Sequence, residues 1–266
     1  MTTSHLTDNY LDFSPKGNEH WAKKFILFLE GVTAVFDGFK ALDISALGIL
    51  HNELRVVIGP NGAGKTTLCD VITGKTPAAG GDVYFDGKNI TDWPDTDIAI
   101  QGIGRKFQTP TVYESLTTFE NMELAFPGHQ KLWNSLFGKT SREGRDKILS
   151  ILERVHLLDQ VETKAKYLSH GQRQWLCISS LILSDPKLLL IDEPAAGLSD
   201  SETELTARLL LELKKNHTLV VIEHDMDFVR QLNSRVTVLN EGQIMAEGTL
   251  EEVKQNEAVI EAYLGR

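Results

Sequence analysis

Gly59-Pro60-Asn61-Gly62-Ala63-Gly64-Lys65-Thr66-Thr67 is the stretch on which the reading of this chain turns. It follows an apolar run, Leu54, Val56, Val57 and Ile58, and precedes a segment that reads as a helix through Leu68, Val71 and Ile72 to Gly74. Strand, glycine loop and helix in that order fit G-x-x-x-x-G-K-[ST] in full. Glycines let the backbone curl so that successive N–H groups point inward at phosphate oxygens, and the following helix N-terminus adds positive potential. Lys65 suits the β- and γ-phosphates, and the Thr66 hydroxyl suits Mg²⁺. The plain alternative is a chance glycine turn, and the strand–helix context argues against it.

The chain of 266 residues is long enough for one large domain or a core plus a subdomain. A net charge of −10 disfavours a broad basic surface, so no nucleic-acid partner is expected. Cys69 and Cys177 lie far apart in apolar helical segments and read as buried thiols. No apolar run approaches the ~18 residues of a membrane span. The start lacks a basic segment followed by an apolar one, so no signal peptide is expected. These features suggest a cytosolic chain that would serve a membrane only by docking on another protein.

Residues 1–24 are polar and without period, which suggests a loose arm. The apolar pattern predicts strands at Phe25–Leu29, Val32–Phe36, Ala41–Ile49, Leu54–Ile58, Val83–Phe85 and Ile103–Phe107. From Thr109 to about Tyr167 the pattern turns helical. Asn121–Phe126 is one piece, and Ile148, Ile151, Leu152, Val155 and Leu158 repeat with a period of about 3.6. Gly128–Thr140 interrupts this run. A further helix follows Gly171, ending at Ser184-Asp185-Pro186. Leu188–Ile191 and Thr218–Ile222 are apolar throughout, as parallel strands buried on both faces would be. Ser201-Glu202-Thr203-Glu204 reads as a capping box. Val236–Leu239 and Gln243–Ala246 flank a hairpin turn at Asn240-Glu241-Gly242, and two short helices end the chain.

Asp192 and Glu193 close the apolar run Leu188–Ile191, at the strand end where open α/β sheets bind ligands. Asp192 suits Mg²⁺ through water, and Glu193 is a candidate general base for water attacking a γ-phosphate. His224 ends the next apolar strand and could reach the γ-phosphate from the same edge. Gln108 ends the strand that leads into the helical insert, where a neutral amide could sense Mg²⁺ or water. Ser169-His170-Gly171-Gln172 opens a helix, which makes either an anion site or simply a helix cap.

The order Gly59–Thr67, Gln108, Ser169–Gln172, Leu188–Glu193, His224 resembles the ATPase subunits of ABC transporters, over about residues 25–266. The resemblance implies an α/β P-loop NTPase fold, a RecA-like core with an antiparallel β-subdomain and a helical subdomain inserted at about residues 109–172. It implies ATP and Mg²⁺, with Gly59, Pro60, Asn61, Gly62, Ala63, Gly64, Lys65, Thr66 and Thr67 on the phosphates. Phe36 would stack on adenine. Catalysis would fall to Glu193, His224, Lys65 and Gln108, and Mg²⁺ to Thr66, Gln108 and Asp192. It also implies a head-to-tail dimer, with a second copy or a sister ATPase, in which Ser169, Gly171 and Gln172 face the other chain's ATP. Membrane permease subunits would meet Gln108 and the insert at the cytoplasmic face of the membrane, and a solute-binding protein would act through them.

Gly102–Gln108, Glu193–Gly197 and Ala262–Arg266 are similar to the branched-chain amino acid importer class. Within it, Val71–Thr76, Arg105–Gln108, Ser169–Trp175 and Thr237–Leu239 resemble the urea-type ATP-binding subunits, so uptake of urea is the expected role. The alternatives are a branched-chain amino acid importer, an exporter ATPase of lipopolysaccharide type and a soluble ABC protein. His170 departs from the glycine usual after the signature serine, and Ser199-Asp200 from the usual Leu-Asp pair; the urea-type subunits share both departures.

Overall fold

A computed structural model describes residues 24–106, 111–126 and 141–264. Nearly all of the 1–24 arm, Gln108 and the Gly128–Thr140 break therefore lie outside the described residues.

Two sheets organise the chain. The first has the order β2-β1-β4-β5, from β1 (Phe25–Phe36), β2 (Phe39–Leu50), β4 (Gly80–Phe85) and β5 (Lys88–Asn89), and every pairing in it is antiparallel. The second has the order β10-β9-β3-β8-β7-β6, from β3 (Leu54–Ile58), β6 (Ile103–Lys106), β7 (Leu188–Asp192), β8 (Thr218–Ile222), β9 (Arg235–Asn240) and β10 (Gln243–Gly248). It is parallel from β9 to β6, with β10 antiparallel at one edge. Among the described residues the α-helices are α1 (Lys65–Ile72), α2 (Asp95–Gln101), α3 (Thr118–Ala125), α4 (Arg142–Arg154), α5 (His170–Leu183), α6 (Asp200–Leu213), α7 (Met226–Leu232), α8 (Leu250–Lys254) and α9 (Glu257–Leu264).

All residues of β3, β7 and β8 are buried, as their unbroken apolar runs require. Alternation sends their side chains to two cores. Leu54, Val56, Leu189, Ile191, Leu219 and Val221 join Met122, Ile148, Leu176, Leu210 and Phe228 from the helices on one face. Val57, Leu190, Val220 and Ile222 pack on the other with Leu27, Val32 and Leu42 of the antiparallel sheet and Leu68 and Ile72 of α1. The sheet is thus sandwiched, with α3 and α4 reaching the helical side from between β6 and β7.

Sequence and structure differ in detail. The two strands expected over residues 25–36 are one, β1, because a positive-φ Gly31 lets the chain slip register against β4 between Glu30 and Thr33 without ending the ladder. The hairpin at Asn240-Glu241-Gly242 forms as expected, with Glu241 and Gly242 both at positive φ. The capping box of α6 lies two residues earlier than expected. Ser199, extended at φ −71°, accepts from the Glu202 N–H, and the Glu202 carboxylate accepts from the Ser199 N–H, while Ser201 is already helical. Both cysteines are buried free thiols, and burial pushes the Cys69 thiol up to about 12.

Arg55 of β3 is a fully buried charge that ties the sheets together. Its Nε donates to Glu53 (2.7 Å), one terminal nitrogen donates to Thr237 (2.9 Å) and to the buried Glu247 carboxylate, and the other to the Gly48 carbonyl of β2 (3.3 Å). Removing one member of such a cluster leaves its partner buried and uncompensated. Arg55→Ala is expected to lower unfolding free energy by about 3–5 kcal/mol in denaturant titrations, and replacing Arg55 and Glu247 together by apolar residues to recover much of that loss. An Arg55→Ala protein as stable as the parent would contradict this account.

Candidate functional site

The strand order sets the site. β8 lies between β3 and β7, and Ile222 pairs with Val57 on one side and Asp192 on the other. The glycine loop after β3, Glu223-His224 after β8 and Asp192-Glu193 at the end of β7 therefore leave the same carboxyl edge side by side. Such an edge, where successive connections diverge, is the ligand-binding edge of open α/β sheets.

The loop is built tightly. Gly64 caps α1 at φ 98°, a conformation that disfavours side chains, and a Cβ there would lie 2.8 Å from the Ala41 carbonyl of β2. No side chain caps α1, so the first-turn N–H groups of Lys65, Thr66 and Thr67 have no side-chain competitor for an anion. Lys65 is only 9% exposed, and its Nζ donates to the carbonyls of Gly59 (2.7 Å) and Pro60 (3.0 Å). Burial holds its ammonium below the usual lysine range, while the Glu193 and Asp192 carboxylates pull the other way. Thr66 is exposed on the first turn of α1.

Asp192 is buried, and burial raises its carboxyl above the usual range against the opposing Arg105 guanidinium, which lies 3.9 Å away. Arg105 also pairs with Asp70 of α1. Lys106 donates from beneath to the Asp192 carbonyl at 3.2 Å, and burial lowers its pKa. Glu193 turns off the strand at φ 45°, its N–H donating to the Ile222 carbonyl at 3.0 Å. Its Oε1 lies 3.4 Å from Nδ1 of His224. Four residues singled out in the sequence, Lys65, Asp192, Glu193 and His224, thus meet at one edge.

Glu223 was not singled out. It is 1% exposed, and its carboxylate accepts from the N–H groups of Ala195 (3.0 Å), His224 (3.0 Å) and Asp225 (3.3 Å). Burial still raises its pKa against those three donors. It joins the segment behind Glu193 to the segment carrying His224. The available signal was its place in line with the apolar run Thr218–Ile222.

Phe36 stands at the tip of the β1–β2 hairpin, 46% exposed, and faces its cross-strand neighbour Phe39, which is 69% exposed. β2 leans on the loop through the Ala41 carbonyl, and the Gly242 N–H donates to the Ala63 carbonyl. The hairpin therefore flanks the loop, and the sequence reading missed its second ring.

Ser169, Gly171 and Gln172 sit apart from this group, at the start of α5. Ser169 Oγ accepts from the Gln172 N–H (3.1 Å), and Gln172 Oε1 accepts from the Ser169 N–H (2.9 Å), a complete capping box. The helix-cap alternative is thus realised, whatever else the turn does. His170 does not stand over this turn; its Nε2 lies 3.2 Å from the Ala196 carbonyl and 3.3 Å from Gln174 Nε2. The ring packs on the chain's own Ala196-Gly197 segment.

Thr66 and Asp192 are hard oxygen donors, and no cluster of three or more metal-ligating side chains exists among the described residues. Such a set fits an ion that keeps waters and bridges to substrate phosphates, as Mg²⁺ does, better than one held in an all-protein cage. Among the described residues no helix is long and apolar enough to cross a membrane.

Comparison with known proteins agrees with this geometry. Residues 42–196 match the model of the ABC transporter family, and residues 243–266 match that of the branched-chain amino acid ATP-binding cassette transporter. The chain is 35% identical over 251 residues to the high-affinity branched-chain amino acid transport ATP-binding protein LivG of Salmonella typhimurium, covering 90% of this chain and 98% of that one. It is 37% identical to a probable LivG of Methanocaldococcus jannaschii, covering 90% and 97%. A nucleotide-free ATP-binding cassette from an ABC transporter superposes with a TM-score of 0.80 at 34% identity, covering 91% of this chain and all of the other. A dimeric cassette in a post-hydrolysis state bound to ADP and Pi superposes with a TM-score of 0.70 at 29% identity, covering 84% and 98%. The chain therefore belongs to the ATP-binding cassette family of ABC transporters, and is an ATPase of the kind that powers transport.

Proposed function

We propose that this chain is the ATP-hydrolysing subunit of an importer of the branched-chain amino acid class. The meeting of Lys65, Asp192, Glu193 and His224 at one sheet edge, with His224 3.4 Å from Glu193, carries the mechanism. The loop amides and Lys65 hold the β- and γ-phosphates, Lys65 exchanging its own loop carbonyls for phosphate oxygens. Phe36 stacks on the adenine. Thr66 would hold Mg²⁺ through its hydroxyl and Asp192 through water, and the ion would neutralise charge on the phosphate oxygens. Glu193 accepts a proton from the attacking water as the water oxygen bonds to the γ-phosphorus and the bond from the γ-phosphorus to the β–γ bridging oxygen breaks, releasing ADP and phosphate. His224 holds the γ-phosphate beside that water. Gln108 is assigned to Mg²⁺ and water at the start of the insert. Glu223 positions Glu193 and His224 relative to one another by fixing the backbones behind both.

Ser169, Gly171 and Gln172 complete the ATP site of a second cassette, a copy or a sister. The dimeric ADP-bound relative supports an assembly of this kind. Two such cassettes would dock on membrane permease subunits at the cytoplasmic face of the membrane, fed by a solute-binding protein. The relatives named for branched-chain amino acid transport support those amino acids as the solute. Urea is the second reading. It is favoured by the resemblance of Val71–Thr76, Ser169–Trp175 and Thr237–Leu239 to urea-type subunits and by His170, which the fold accommodates against Ala196.

Glu193→Gln is expected to slow ATP hydrolysis on the order of 10²-fold or more while nucleotide binding persists; normal turnover would remove Glu193 from the role of base. Uptake of labelled leucine and labelled urea by cells lacking the gene, restored with the intact chain or with Glu193→Gln, decides the solute. Rescue of leucine uptake by the intact chain alone supports the first reading, and rescue of urea uptake alone the second. Glu223→Ala strips three backbone donors of their acceptor, and is expected to lower stability by about 3 kcal/mol and to reduce kcat more than it raises KM for ATP. An equal rise in KM with kcat unchanged would contradict the positioning role.

A further inference from the structure

Ser169 has only one hydroxyl hydrogen to give. Its oxygen already accepts from the Gln172 N–H, and the hydrogen is donated to Glu202 Oε1 at 3.2 Å. Glu202 is held at the start of α6 by its other oxygen, which accepts from the Ser199 N–H (3.0 Å) and hydroxyl (2.9 Å). One carboxylate therefore bridges the first turns of α5 and α6. Gly171 makes room for it, since a Cβ there would lie 2.5 Å from Glu202 Oε1. His170 adds a second tie between the same two segments through the Ala196 carbonyl. The Ser199 N–H and hydroxyl hold the Glu202 carboxyl below its usual range, so it is ionised at neutral pH.

We propose that Glu202 is a latch on the Ser169 hydroxyl, engaged within the chain and released when the γ-phosphate of the second cassette's ATP takes the same hydrogen. The proposal rests on the reading of Ser169 as a contact to that ATP. Two anions cannot share one hydroxyl hydrogen, and a phosphate arriving beside the carboxylate also meets its charge. The latch therefore raises the ATP concentration needed to close the two cassettes. Its release frees the start of α6, and the chain from Glu202 back through Ser199 and Ala196 leads directly to Glu193. Glu202 is a positioning residue: it acts through Ser169 and the Ala196–Ser199 segment.

The test uses the transporter assembly purified from its own host's membranes through a tag on this chain, with ATP turnover measured against ATP concentration. Glu202→Gln keeps an oxygen for the Ser199 N–H and removes the charge. It is expected to lower the half-saturating ATP concentration on the order of tenfold, with maximal turnover moving less. On a Ser169→Ala background the same substitution is expected to have no effect, because the latch works only through that hydroxyl. An unchanged half-saturation in Glu202→Gln, or a full shift persisting on the Ser169→Ala background, would overturn the latch. Wild-type turnover in Ser169→Ala alone would instead overturn the reading of Ser169 on which the latch rests.

Discussion

The register of three parallel strands is the constraint on which the site depends. Because Ile222 pairs with both Val57 and Asp192, the ends of β3, β8 and β7 fall level, and whatever follows each strand meets its neighbours. A slip by one residue would turn every side chain of a strand to the opposite core. Both cores are filled, by helices on one face and by the antiparallel sheet with α1 on the other, so the register is fixed by packing on each side. The loop, the acidic pair and the histidine inherit their proximity from apolar residues that take no part in chemistry.

The charges around that edge show a common arrangement. Lys65, Lys106, Asp192 and Glu223 are all buried, and for each the largest effect on its pKa is desolvation. Each is held by other groups: Lys65 by its loop's carbonyls, Lys106 by the Asp192 carbonyl, Asp192 facing Arg105, Glu223 by three amides. A low-dielectric setting strengthens such fixed groups and penalises any left unmatched. Glu193 and His224 differ in being partly open, His224 most of all. The two groups proposed to act at the γ-phosphate from this pair are thus more open than the charges packed around them.

Much of this was legible in the sequence, for reasons that are local. Unbroken apolar runs mark β3, β7 and β8 because a doubly covered strand has no polar face. The glycine loop is legible because its spacing is dictated by backbone geometry. What escaped depends on contacts distant in sequence. Ser199-x-x-Glu202 and Ser201-x-x-Glu204 are two overlapping cap patterns, and only the fold, in which Glu202 also receives the Ser169 hydroxyl, distinguishes them. Glu223 beside His224 reads as one more strand-end acid, because its three amide donors come from loops that converge only in the folded chain. Gly31 hid the continuity of β1 because a bulge interrupts the pattern without ending the ladder. Gln108 lies outside the described residues, and its role stands on the resemblance alone.

The most direct measurement is the crystal structure of the Glu193→Gln chain with ATP and Mg²⁺. The account predicts Lys65 Nζ turned from the Gly59 and Pro60 carbonyls to the phosphates, the γ-phosphate between Lys65, position 193 and His224, and Phe36 on the base. ATP bound with Lys65 still on its own loop carbonyls, and with position 193 and His224 directed away from the γ-phosphate, would contradict it.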